Sequence, residues 1–248
     1  MYPSPLLILP LLLPLTTAIP PLKPPFPSFT TKLVKFFSAS PPLRTCPPPG
    51  RPQSTAPFDA AGLHRFEWIV DRTIARSSAP FYRCRDGDQH MTPRTTAFLK
   101  RQGIKHVISL NEEARNPSIG ETLQKAKIHY TPIPLSDYQS PSFADFNAAF
   151  EAFRLQGSAR TLVWCGYGHG RSGTFIVALL MYLEHHKPTP RVFRHLDYAK
   201  YHVETEAQAH VLDMLQAELK RRRLEPSKTD KTKKWYKTAR APWARAVV

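Results

Sequence analysis

Cysteine is scarce in this chain. Its 248 residues hold three, Cys46, Cys84 and Cys165, too few for a disulfide framework. No histidines and cysteines recur at the spacing of a zinc site. Acidic residues are thin too, 19 against 35 Lys and Arg, a net charge of +16. That surplus suggests nucleic acid as a partner, but its distribution argues against a specific one. Residues 1–58 hold five basic residues and no acid, and residues 220–248 hold eleven against two. The stretch between them, with 19 basic and 17 acidic residues, is close to neutral. A long uninterrupted apolar run is also missing. The run at 6–15 is broken by Pro10 and Pro14 and is too short to span a bilayer. Glycine is sparse as well, yet three of the ten glycines fall at 166, 168 and 170. No Gly-Lys-Ser/Thr ends that cluster, which excludes a Walker nucleotide loop.

Proline is plentiful, 26 residues, and dense through 1–58. The composition divides the chain into a proline-rich basic leader at 1–58, one folded domain at 59–223 and a basic tail at 224–248, both tails expected to be disordered. The leader has an apolar core and a small-residue segment at 16–18 that resemble a signal peptide, without a preceding basic residue. The later basic, acid-free part resembles an organelle transit peptide. Secretion or organelle targeting is one expectation for this chain. The other is the cytoplasm, where a free thiol stays reduced. The tail, with Trp235, Tyr236 and Trp243 among its lysines and arginines, suits weak attraction to an anionic partner.

Strands alternate with helices through the middle. The spacing predicts strands at 81–84, 105–110, 128–135 and 161–164, and helices from Pro93, at 119–126, from Ser142, at 171–183, after Pro190 and at 204–223. Phe143, Phe146, Phe150 and Phe153 share one helix face, and Ala207, Val211, Met214 and Leu215 another. This order implies an α/β domain with a central, mostly parallel sheet flanked by helices.

The chemistry concentrates at Val163-Trp164-Cys165-Gly166-Tyr167-Gly168-His169-Gly170-Arg171-Ser172-Gly173-Thr174. A buried strand runs into Cys165, and a buried helix begins near Arg171. The glycines permit turns that aim successive amides inward. The helix N-terminus adds free N–H groups and a positive dipole end. Such a nest binds a phosphate dianion and stabilises a thiolate at its rim. The Arg171 fork would close on two phosphate oxygens. The Ser172 hydroxyl would assist thiolate departure. The bland reading of the same residues is a glycine-rich turn with an incidental cysteine.

The segment resembles the signature loop of the cysteine-dependent protein phosphatases, Cys-x5-Arg-Ser/Thr. Gly168 and Gly170 make it most similar to the dual-specificity subgroup. The succession Arg76-Ser77-Ser78-Ala79-Pro80, Gly103-Ile104-Lys105, Asp137 and Cys165 resembles the atypical dual-specificity phosphatases of fungi and plants across residues 66–217. One departure stands out: Trp164 replaces the histidine that usually precedes the cysteine. The resemblance implies a protein-tyrosine-phosphatase-like fold and a phosphocysteine intermediate, with no metal and no cofactor. Cys165 would be the nucleophile. Gly166, Tyr167, Gly168, His169, Gly170 and Arg171 would bind the phosphoryl group.

The leaving oxygen needs a proton. The family's acid is an upstream aspartate, a place matched by Asp137. Asp145 is the competitor, but it stands where a helix-capping acid belongs. His169 is expected either against the substrate anion or toward solvent. Tyr167 is expected as a pocket wall, and Cys84 as a free thiol. The implied substrate is a phosphorylated protein, on tyrosine, serine or threonine, or a small phosphomonoester. Inositol phosphates and phosphoinositides are the alternative, disfavoured by a loop without lysine. Two rivals remain: a phosphate-binding pseudophosphatase acting as an interaction module, suggested by Trp164, and a sulfur-transfer or arsenate-reducing enzyme.

Overall fold

The computed structural model describes residues 57–157 and 159–224. Helix α1 (Pro57–Ala60) leads into strands β1 (Glu67–Val70) and β2 (Ile74–Ser78). A short 3-10 turn (Asp86–Asp88), α2 (Pro93–Arg101), β3 (Ile104–Ser109), α3 (Pro117–Lys125) and β4 (His129–Pro132) follow. Then come α4 (Phe143–Leu155), β5 (Arg160–Cys165), α5 (Gly170–His185), α6 (His195–Lys200) and α7 (Glu206–Leu224). The five strands form one sheet in the order β1-β2-β5-β3-β4. Only the β1–β2 pair is antiparallel; β5 runs parallel to both β2 and β3. The expected mostly parallel α/β sheet is what the chain builds.

Local chemistry explains the helix starts. Thr92 Oγ1 accepts the Thr95 N–H at 3.1 Å, and Pro93 supplies a preset φ at the first helical position. Asn116 caps α3 in the same way. Ser142 and Asp145 form a reciprocal capping box on α4.

The sheet separates two apolar layers. On one side lie Phe98 and Leu99 of α2 and Ile119 and Leu123 of α3, against Leu162 and Trp164. On the other lie Phe146, Phe150 and Phe153 of α4, helix α5, and Leu212, Leu215 and Leu219 of α7, against Val163 and Cys165. Alternation along β5 thus sends Trp164 and Cys165 to opposite faces. Every residue of α5 from Gly170 to Glu184 is buried.

Three local expectations differ from the structure. Residues 81–84 form no strand; the early strands are β1 and β2. The helix expected after Pro190 begins only at His195. On α7 the core face is Gln208, Ala209, Leu212, Leu215 and Leu219, while Ala207 and Met214 are exposed. The leader at 1–56, the tail from 225 and their expected roles lie outside the described residues.

Candidate active site

Strand β5 delivers Cys165 to the carboxyl edge of the sheet, and α5 begins five residues later at Gly170. The Ala79 N–H ties the start of the loop to the neighbouring strand end, 2.6 Å from the Cys165 carbonyl and 3.0 Å from that of Gly166. Gly168 holds φ at +98°, and a Cβ there would lie 2.7 Å from the Ser77 and Ser78 backbone. Only glycine fits that turn. It aims the Gly168 N–H at the Cys165 sulfur, 3.2 Å away. The sulfur in turn lies 3.7 Å from the His169 carbonyl. Cys165 is the free cysteine among the described residues. Cys84 is disulfide-bonded, which corrects the expectation of a free thiol.

Arg171 sits under the loop with its side chain almost wholly buried. Its Nη1 donates to Asp86 Oδ2 at 2.6 Å and to the Leu135 carbonyl at 2.7 Å. Its Nη2 donates to Asp86 Oδ1 at 3.0 Å and lies 3.1 Å from Asp137 Oδ1. Burial works against the guanidinium charge. The Asp86 hydrogen bonds, the neighbouring Cys165 sulfur and the carboxylates of Asp86 and Asp137 outweigh it, and the Arg171 pKa is raised. Arg171 is therefore a fixed cation.

The other expected residues fall around this pair. Asp137 lies on the loop after β4 beside Arg171, whereas Asp145 is spent on Ser142, whose N–H and Oγ lie 2.8 and 2.7 Å from its Oδ2. Ser172 is buried, and its hydroxyl finds no hydrogen-bond partner among the described residues. Gly170 presses against Glu204, where a Cβ would meet Oε2 at 2.5 Å. Tyr167 is covered by Arg65, whose guanidinium carbon lies 3.6 Å from the ring centroid and whose Nε donates to the Tyr167 carbonyl. His169 is half-buried. Its ring stacks on His202, centroids 4.0 Å apart. Trp164 donates from Nε1 to Ser109 Oγ on β3, away from the loop.

A family model described as "Swiss Army Knife protein, DSP-PTPase phosphatase domain" matches residues 63–232. The chain belongs to this family. It is a phosphatase domain of the dual-specificity type within the cysteine-dependent superfamily. Among solved structures, the kinase associated phosphatase with its catalytic-site cysteine changed to serine is 18% identical. That match covers 64% of this chain and 96% of the other, with a TM-score of 0.51. PTPMT1 in complex with PI(5)P is 17% identical over 63% and 97% of the two chains, TM-score 0.50. A mutant form of Tk-PTP is 23% identical over 62% and 96%, TM-score 0.49. The first two of these likenesses show the fold. No curated protein sequence matches the chain.

Sequence reasoning about this phosphatase domain missed Asp86. It lies 85 residues before Arg171, just past residues 81–84, which suggest a strand. Among the described residues no group of three His, Cys, Asp or Glu side chains could hold a metal ion. No described helix is long and apolar enough to cross a membrane.

Proposed function

We propose that residues 59–223 hydrolyse phosphate monoesters of phosphorylated proteins through a phosphocysteine intermediate. The supporting observation is the approach of three groups: a free thiol receiving a loop N–H, a buried guanidinium held beneath the same loop, and an exposed carboxylate 3.1 Å from that guanidinium. The phosphoryl oxygens would take the loop amides of 166–171 and the Arg171 N–H groups. The Cys165 thiolate attacks phosphorus as the ester P–O bond breaks, and Asp137 protonates the departing oxygen. Water then attacks the phosphocysteine, Asp137 takes its proton, and the S–P bond breaks to release inorganic phosphate. The Ser172 hydroxyl, with no hydrogen-bond partner among the described residues, is free to donate to the returning thiolate.

Proteins are favoured over inositol phosphates and phosphoinositides because the loop has no lysine to meet several phosphates. Phosphopeptides and inositol phosphates offered side by side to the full chain test this reading. Turnover of p-nitrophenyl phosphate by the wild type, abolished by Cys165→Ser, is expected. Undiminished turnover by that variant overturns the mechanism. Tungstate binding without turnover in the wild type would mark a pseudophosphatase. Faster turnover of inositol phosphates than of phosphopeptides would overturn the substrate class.

A further inference from the structure

We propose that Asp86 is a positioning residue that holds the Arg171 fork in the orientation needed to receive a phosphoryl group. The inference rests on the phosphatase reading of the same site and assigns a role to a residue outside the signature loop.

Asp86 and Arg171 form a two-pronged pair through Nη1 and Nη2, at 2.6 and 3.0 Å. End-on pairing of this kind fixes the plane of the guanidinium as well as its position. It leaves the Nε–H and the second Nη2 hydrogen for ligand oxygens. Two carboxylates compete for Nη2, and their exposure decides which one yields. The Asp86 side chain is 8% exposed and that of Asp137 is 52% exposed. An arriving phosphoryl oxygen displaces the exposed Asp137 from Nη2, freeing it to face the leaving group. Asp86 stays.

The segment around Asp86 is built to keep it there. Asp88 Oδ2 collects the N–H groups of Cys84 and Arg85 at 2.8 Å each, and of Arg83 at 3.3 Å. These bonds outweigh the burial that opposes the charge and hold the Asp88 carboxyl below its ordinary range. Asn111 Nδ2 donates to the Asp86 carbonyl at 3.2 Å, and the Glu112 N–H to Asp86 Oδ2 at 2.6 Å. Gln89 is buried, and its Nε2 donates to the Glu113 carbonyl at 2.8 Å. The turn is thus tied to the loop after β3. A Cβ on Gly166 would lie 2.2 Å from Asp86 Oδ1, so the carboxylate lies directly against the first glycine of the loop.

Asp86 does not plug the site. Among the described residues, the N–H groups it accepts come from Arg171 and Glu112, not from the amides of 166–170 that would cradle a phosphate. Nor is it the better candidate acid, since both of its oxygens are already committed to Arg171.

The test is a double-mutant cycle in the full chain. It reads kcat/KM on p-nitrophenyl phosphate and tungstate affinity, with melting curves to establish folding. Asp86→Asn keeps the shape but replaces one acceptor with an N–H that faces the guanidinium. It is expected to lower kcat/KM by about 10²-fold. In an Arg171→Ala background the same change is expected to cost less than about threefold, because a residue acting through Arg171 has nothing left to position. A merely structural role would lower both backgrounds equally, and that result overturns the proposal. So does an Asp86→Asn enzyme within about threefold of wild type. Asp88→Asn frees the turn while leaving residue 86 intact. It is expected to lower kcat/KM in the same direction, and serves as the deciding variant if Asp86→Asn does not fold. If the wild type turns over no substrate, the phosphatase reading fails and the cycle is read on tungstate affinity alone. Coupling there keeps Asp86 as the positioner of an anion site, and its absence removes that role.

Discussion

Trp164 Nε1 donates to Ser109 Oγ at 2.7 Å, joining the next-to-last residue of β5 to the last residue of its parallel neighbour β3 beneath the loop. The indole fills the layer against α2 and α3, and Cys165 projects to the other side. The tryptophan that replaces the usual histidine is therefore a packing and strand-pairing element.

Trp164→Phe is expected to keep most of that layer while losing the indole bond. A destabilisation of about 1–2 kcal/mol should follow, with turnover per folded molecule changed by less than about threefold. Chemical denaturation and kcat measured on one preparation check both parts. A large loss of kcat without loss of stability would assign the indole a part in the chemistry.

Gly168→Ala should be far more damaging to activity than its single methyl suggests. The residue holds φ at +98° with backbone atoms 2.7 Å from the place a Cβ would take. The loop must shift, and the Gly168 N–H leaves the sulfur. A fall in kcat/KM of about 10²-fold is expected. Steady-state kinetics on an aryl phosphate measures it.

Asp137 and Asp145 separate cleanly by experiment. Asp137→Asn is expected to slow substrates with poor leaving groups by roughly 10²–10⁴-fold, and to matter less when the leaving oxygen needs no proton. Asp145→Asn removes one side of the Ser142 capping box. It should cost about 1 kcal/mol of stability with turnover intact. The reverse pattern in a leaving-group series would exchange the two roles.

His106 makes stability depend on pH. It lies fully buried in β3 between Thr161 Oγ1 at 3.2 Å and Thr131 Oγ1 at 2.8 Å. Burial, with a smaller electrostatic contribution from the neighbouring His129, lowers its pKa from the ordinary 6.5 to about 4. Between those values the unfolded chain binds a proton that the native state refuses. The contribution is complete above pH 6.5 and is lost as the pH falls toward 4. Its size is about 3 kcal/mol. Urea unfolding from pH 7.5 to 4 should show the loss. His106→Gln, if folded, should show a shallower decline.

Much of the architecture was legible because local signals agreed with packing. Thr92-Pro93 and Ser142 start helices where capping chemistry says they should. The phenylalanines at 146, 150 and 153 are buried on one face. The early hairpin was illegible for a physical reason. Its turn and its flanks hold non-glycine residues at positive φ, Arg72 between the strands, Arg65 before β1 and Phe81 after β2, which carry no turn signature in sequence. The Phe81-Tyr82 segment has the composition of a strand, but the backbone groups just after it are spent on the Asp88 carboxylate instead of a neighbouring strand. At the site, the loop and its arginine were readable from spacing alone. Asp86 was not, because its pairing with Arg171 exists only once the β2–α2 connection folds over the sheet edge. The Ser172 hydroxyl has no hydrogen-bond partner among the described residues, which its place after Arg171 does not announce.

The burial of α5 along all but its last residue has a thermodynamic consequence. The amides that would cradle an anion run from the loop at 166 into the first turn of the least accessible helix in the domain, one that cannot fray without opening the core. Occupancy of the loop and integrity of the fold are then a single linked equilibrium. An oxyanion present at a hundred times its dissociation constant should add about 2.7 kcal/mol to global stability. Amide protons deep in α5, far from any bound oxygen, should slow their exchange by the same factor as those beside it.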